Sequence, residues 1–145
     1  MRVKGNIWLS ILLPDGGIIG AIDTGPAHTV FERNHSIYRF DEAGNVMWQI
    51  KRNEGEWGAW EARRLKAEKE NDVQGTSSFL QLWLRYPDGG TNRNPMPCDD
   101  EYPREDCLRD GAVVCCGTFD GRSYEIDLNT GIANIVSPSI GSRQW

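Results

Sequence analysis

The side chains able to do chemistry are few, and their spacing matches no familiar catalytic device. The chain holds two histidines, His28 and His35, and four cysteines, Cys98, Cys107, Cys115 and Cys116. A Cys/His nucleophile pair needs a thiolate activated by a nearby imidazole, and nothing in the sequence assigns either histidine to a cysteine. The Cys98–Cys107 spacing is too wide for a zinc pair, and Cys115-Cys116 leaves no loop for tetrahedral closure. The acidic run Asp99-Asp100-Glu101 lacks the alternating ligands and mid-loop glycine of a calcium loop. There is no phosphate-cradling glycine loop and no G-x-S-x-G elbow. The expectation is a non-enzymatic chain with no catalytic residue, metal or cofactor, working by binding.

For binding, two segments stand out. Residues 99–110 carry six acids against Arg104 and Arg109, interrupted by Tyr102 and a proline that stiffen the stretch. The charged segment 53–75 carries Trp57 and Trp60 among polar or small neighbours. Tryptophan is enriched among residues that anchor protein interfaces. The expected partner-binding residues are therefore Asp99, Asp100, Glu101, Tyr102, Glu105, Asp106, Trp57 and Trp60. The alternative surface is the wetter face of strand 79–86, with Phe79, Trp83 and Arg85.

Bulk properties narrow the partner. With 145 residues, 39% of them apolar and 26% charged, the chain fits a single β domain with its own core. A net charge of −5 disfavours nucleic acid and anionic membranes, which are bound through basic patches, and suits a basic protein. The N-terminus has a basic start and an apolar run, Ile7–Leu13. No small-x-small cleavage site follows, and Pro14-Asp15-Gly16-Gly17 turns the chain into a second apolar run. No stretch approaches the ~20 apolar residues of a membrane span. A cytoplasmic location is expected, with reduced thiols. Cys115 and Cys116 read as small buried hydrophobes, and whether Cys98 and Cys107 pair is left open.

The elements that would position these residues are hairpins. Ile7–Leu13 turns into Ile18–Ile22, Ser36–Phe40 into Val46–Ile50, and Val113–Phe119 into Ser123–Leu128 and on into Ile132–Val136. Each turn holds Asp or Asn with Gly, the residues that bond their own backbone or tolerate positive φ. Period-two alternation places Val46, Trp48 and Ile50 on one face, Leu80, Leu82, Leu84 and Tyr86 on another, and Tyr124, Ile126 and Leu128 on a third. Trp60–Glu70 has helix-forming composition but a weak apolar stripe. Residues 87–110 lack periodicity and read as an insertion loop. The expected fold is all-β, a mainly antiparallel sandwich or open barrel-like meander of hairpins, with at most one or two short helices.

Two segments, IYRFDEAGNVMWQIK (Ile37–Lys51) and YEIDLNTGIANIV (Tyr124–Val136), resemble the strand-turn-strand unit of quinoprotein-like propeller blades. A blade takes roughly 40–50 residues and a closed propeller at least four blades, so this chain is too short to close one. The patterns S-I-Y-x-x-D-x-x-G-x-x-x-W-Q-I (Ser36–Ile50) and D-G-x-x-Y-E-I-D-L-x-T-G (Asp120–Gly131) also resemble small standalone bacterial immunity proteins of polymorphic toxin systems, including contact-dependent growth inhibition. That resemblance implies a cytoplasmic antidote that occludes one cognate toxin domain, a basic nuclease being the best fit to the charge. It brings no catalytic residue. The competing reading is a small ligand- or glycan-binding β module that uses its tryptophans.

Overall fold

The computed structural model describes residues 3–53, 58–87, 91–93, 104–108 and 111–137. Eleven strands lie in these residues: β1 (Asn6–Leu12), β2 (Ile18–Asp23), β3 (Ile37–Phe40), β4 (Val46–Gln49), β5 (Lys51–Asn53), β6 (Phe79–Arg85), β7 (Thr91–Arg93), β8 (Arg104–Cys107), β9 (Val113–Thr118), β10 (Ser123–Ile126) and β11 (Ile132–Ser137). Two helices, α1 (Val30–Asn34) and α2 (Gly58–Glu70), and a 3-10 turn at Val73–Gly75 complete them. The first sheet runs β4-β3-β2-β1-β8 and the second β5-β11-β10-β9-β6-β7. All pairings are antiparallel except β1 with β8 and β5 with β11. One apolar cluster draws Leu9, Ile11, Ile19 and Ile37 from the first sheet and Leu82, Leu84, Val114, Tyr124 and Ile126 from the second. The sheets therefore face each other across a shared core, the mostly-β architecture expected from the hairpins.

Two β-bulges correct the expected faces. A bulge at Met47, facing the step from Arg39 to Phe40, pairs Val46 with Phe40. Val46 then packs with Ile22, Tyr38 and Phe40 in a second cluster, apart from the core that Ile50 and Trp48 join. A second bulge, between Phe79 and Gln81, puts Phe79 into the core with Leu82 and Leu84, at 2% exposure. An extra residue in one strand reverses the side-chain alternation beyond it. Trp83 is also buried, at 5% exposure, and lies against Gly117 of the neighbouring strand. The wetter face expected at Phe79, Trp83 and Arg85 is thus largely covered, and Arg85 pairs with Glu125 at 3.1 Å.

The stretch expected to be a loop, 87–110, contributes β7 and β8, one at the edge of each sheet. Both are short, and β8 reads Arg-Glu-Asp-Cys. Pairing uses backbone groups alone, so a charged strand three or four residues long has no periodicity to find. Charge on an edge also discourages further pairing.

Helix α2 shows why its apolar stripe is weak. Its aliphatic side chain, Leu65, is 52% exposed, while Arg64, Ala67 and the Glu68 carboxylate turn inward. The helix docks through polar bonds. Asn34 Nδ2 donates to Glu68 Oε2 and to the Gly75 carbonyl, each at 3.0 Å. Asn71, at the end of α2, accepts from Val30 N–H at 2.9 Å and so ties α2 to α1. A Cβ on Gly75 would collide with Ala67, so glycine is needed where the 3-10 turn closes on the helix. Helix α1 is fixed by a capping box, with Glu32 N–H donating to Thr29 Oγ1 and Thr29 N–H to Glu32 Oε1.

Candidate functional site

Where α1 meets β4 and the β10–β11 turn, the surface dips into a depression of about 520 Å³. Phe31, His35, Met47, Trp48, Lys51 and Thr130 are among its lining. Phe31 and Met47 keep 45% and 53% of their surface exposed. The two lie on different elements, α1 and β4, yet border one concavity.

The wall behind Phe31 is built of charged and polar groups. Phe31 and His35 sit four apart, across one helical turn, and their rings stack at a centroid distance of 4.1 Å. His35 is buried. Its Nδ1 lies 2.9 Å from the Ile50 carbonyl oxygen, and its Nε2 lies 3.1 Å from both Glu68 oxygens. Both ring nitrogens thus face oxygen atoms of the fold. Glu68 also accepts from Arg64 at 3.2 Å and from Asn34. Burial would raise the Glu68 carboxyl. The His35 hydrogen bond and charge, with help from Asn34 and Arg64, outweigh it and hold the carboxyl below the usual range.

Trp48 forms the other wall by clasping the two motif hairpins together. Its Nε1 donates to the Leu128 carbonyl at 2.8 Å, and Arg39 donates to the same oxygen at 2.8 Å. A Cβ on Gly131 would stand 2.6 Å from the Trp48 ring, and Gly131 has φ of +79°. The tryptophan of the first motif and the last glycine of the second are therefore one packing unit.

These groups are committed to structure. Both His35 nitrogens are engaged as described. His28 Nδ1 accepts from Gly25 N–H at 3.0 Å, and its Nε2 donates to the Lys4 carbonyl at 3.0 Å. Cys115 and Cys116 are buried thiols, and complete burial pushes the Cys116 thiol far up, away from the reactive thiolate. Among the described residues, no three His, Cys, Asp or Glu side chains cluster to hold a metal. No helix among them is long and apolar enough to cross a membrane.

The expected partner-binding residues fare differently. Trp57, Asp99, Asp100, Glu101 and Tyr102 lie outside the described residues, as does the Trp60 side chain, whose backbone is in the first turn of α2. Glu105 and Asp106 lie on β8, in register with Ser10 and Ile11 of β1. Helix α2 docks on His35 at the start of β3, and β2 and β1 separate β3 from β8. Phe31 and Met47 went unread in the sequence. The signals were the Phe31-to-His35 spacing and the position of Met47, out of phase with Val46 and Trp48. Comparison with protein-family models, with curated proteins and with solved structures returns no match.

Proposed function

We propose that this chain is an immunity protein: a cytoplasmic β domain that binds one cognate toxin domain and occludes its active site or substrate surface. The observation that carries the reading is the depression at α1 and β4, with Phe31 and Met47 exposed on a rigid, hydrogen-bonded wall. Exposed apolar side chains grouped round a concavity mark protein-binding surfaces. A wall already fixed before binding lowers the ordering cost of association. The likeness of Ser36–Ile50 and Asp120–Gly131 to immunity proteins supplies the partner class. The net charge of −5 favours a basic toxin such as a nuclease.

The test is co-expression with the product of the adjacent gene. The wild-type chain restores growth of cells making that product and co-purifies with it. Phe31→Asp with Met47→Asp abolishes both while the chain stays folded, with a melting temperature lowered only by the lost Phe31–His35 stacking. Growth that no dose of the chain restores would overturn the immunity reading. Rescue by the double variant would move the interface elsewhere. In this proposal Asp99, Asp100, Glu105 and Asp106 act at long range. Reversing their charge slows association most at low salt, and the loss shrinks as salt screens the field.

A further inference from the structure

The chain running from β4 into β5 borders both sheets, since β4 closes one side of the first and β5 one side of the second. It also forms a wall of the depression, from Met47 to Lys51. An edge strand leaves backbone donors and acceptors open unless something covers them. Register shows which groups are left. Tyr38 pairs with Gln49 and Arg39 with Trp48, and Ile50 N–H donates to the Ile37 carbonyl at 2.9 Å. In an antiparallel ladder alternate residues exchange the bonds. Trp48 and Ile50 therefore turn their N–H groups to β3, and Gln49 turns its N–H and carbonyl away. Two residues on along the same edge, Lys51 N–H donates to the Gly131 carbonyl at 3.0 Å. The edge thus faces the β10–β11 turn, whose Asn129 and Thr130 line the same depression.

The Gln49 backbone N–H and carbonyl have no hydrogen-bond partner among the described residues. Its side chain is fixed, donating to the His35 carbonyl at 3.1 Å and to the Tyr38 hydroxyl at 2.9 Å. Two more polar groups of the lining, the Asn129 carboxamide and the Lys51 ammonium, are likewise unengaged among the described residues. No acid among the described residues lines the depression, so Lys51 makes it locally positive in a chain of net charge −5.

We infer that the occupant of this depression is an extended segment of a partner protein, which pairs its backbone with Gln49, lays an apolar side chain against Phe31 and Met47 and sets a carboxylate beside Lys51. One residue of an incoming strand can exchange both bonds with Gln49. Strand addition draws affinity from such main-chain bonds and specificity from the side chains beside them. A purely apolar ligand would cover the Gln49 groups and leave them unpaired, which is costly once water is excluded. The segment belongs to the toxin if the reading above holds, and on that reading of the depression as a protein-binding surface this inference rests. A basic toxin remains compatible, because long-range attraction acts on net charge and the contact at Lys51 on one side chain.

The test is amide hydrogen exchange of the wild-type chain, free and in complex with the product of the adjacent gene, read residue by residue by nuclear magnetic resonance. Gln49 N–H exchanges fast in the free chain and roughly tenfold or more slowly in the complex, where its hydrogen bond forms. Lys51→Ala weakens the complex about two- to fivefold, the range for an exposed ion pair. Lys51→Glu weakens it further, and the loss shrinks as salt rises. Gln49→Pro removes the N–H where an edge strand tolerates proline. It weakens binding more than Gln49→Ala, which loses the same side chain and keeps the N–H. If Gln49→Pro fails to fold, exchange in the wild-type chain decides. A complex in which Gln49 exchanges as fast as in the free chain overturns the inference and leaves the immunity reading standing. Absence of any complex overturns the immunity reading instead. The free chain is then titrated with the end-capped pentapeptide Thr-Val-Thr-Asp-Thr and with its lysine counterpart. A saturable shift of the Gln49 and Lys51 amides with the aspartate peptide alone supports the inference, and no shift, or equal shifts with both, overturns it.

Discussion

Trp48 and Leu128 are 80 residues apart in sequence and joined by one hydrogen bond. Their contact makes Trp48 a clasp between hairpins, with Gly131 leaving room for the ring. Trp48→Ala should cost about 3 kcal/mol, near the low end for a large aromatic because the ring is only half-buried. Gly131→Ala should cost more than about 1 kcal/mol, from its positive φ and from the collision with the ring. In the Trp48→Ala background the collision vanishes, so Gly131→Ala should cost less there. A double-mutant cycle by urea unfolding measures the difference. Equal costs in both backgrounds would show that ring and glycine do not meet. Sequence alone marks Asp41-Glu42-Ala43-Gly44-Asn45 and Asn129-Thr130-Gly131 as turns, and the structure adds Asp127, whose side chain accepts from Asn129 N–H as Asp41 accepts from Ala43 N–H. Sequence does not say that one turn receives the tryptophan of the other hairpin.

The helix α2 illustrates the element scale. An amphipathic helix announces itself by an apolar stripe, but this one docks by Arg64 and Glu68. Those charges read in sequence as a solvated face. Glu68→Gln removes the anion between Arg64 and His35 and should destabilise the fold by roughly 3–5 kcal/mol, as when one partner of a buried ion pair is lost. The sign of the pH effect follows from the lowered Glu68 carboxyl. Its stabilising contribution is fully present above the unfolded value of about 4.3 and is lost as pH falls through the lower native value. Protection of the Ala67 amide, the ratio of its intrinsic to its observed exchange rate, should therefore fall on acidification through this range in the wild type and depend less on pH in Glu68→Gln. Parallel pH profiles in the two proteins would remove Glu68 from the docking of α2. The same element carries Phe31 indirectly, since Glu68 holds the imidazole on which Phe31 stacks.

At the scale of the whole molecule, Cys115 and Cys116 lie on β9, inside the second sheet between β10 and β6. Both are buried, so a thiol reagent reaches them only through large-scale opening. Labelling of these two should accelerate with denaturant in step with global unfolding, as read by mass spectrometry. Fast labelling in native buffer would mean that the second sheet opens locally. Adjacent residues on a strand point to opposite faces, yet both thiols are covered. Cys116 enters the shared core, and Cys115 lies on the Trp83 side, in register with Trp83 across β6 and β9.

The sequence by itself determined the hairpins, their turns, the mostly-β class and part of the inner core: Ile50, Leu82, Leu84, Tyr124 and Ile126. These are local properties: alternation needs only neighbours two apart, and a turn needs only its own Asp and Gly. Tertiary structure decided the rest. The bulges at Arg39/Phe40 and Phe79/Gln81 depend on the partner strand, so one extra residue moved Val46 and Phe79 to unexpected faces. The strands β7 and β8 depend on an open sheet edge being available to their backbones. The candidate site arises where separate segments meet, Phe31 of α1 with Met47 of β4. No periodicity links residues that far apart, because only the packing of the two sheets and α2 brings them together.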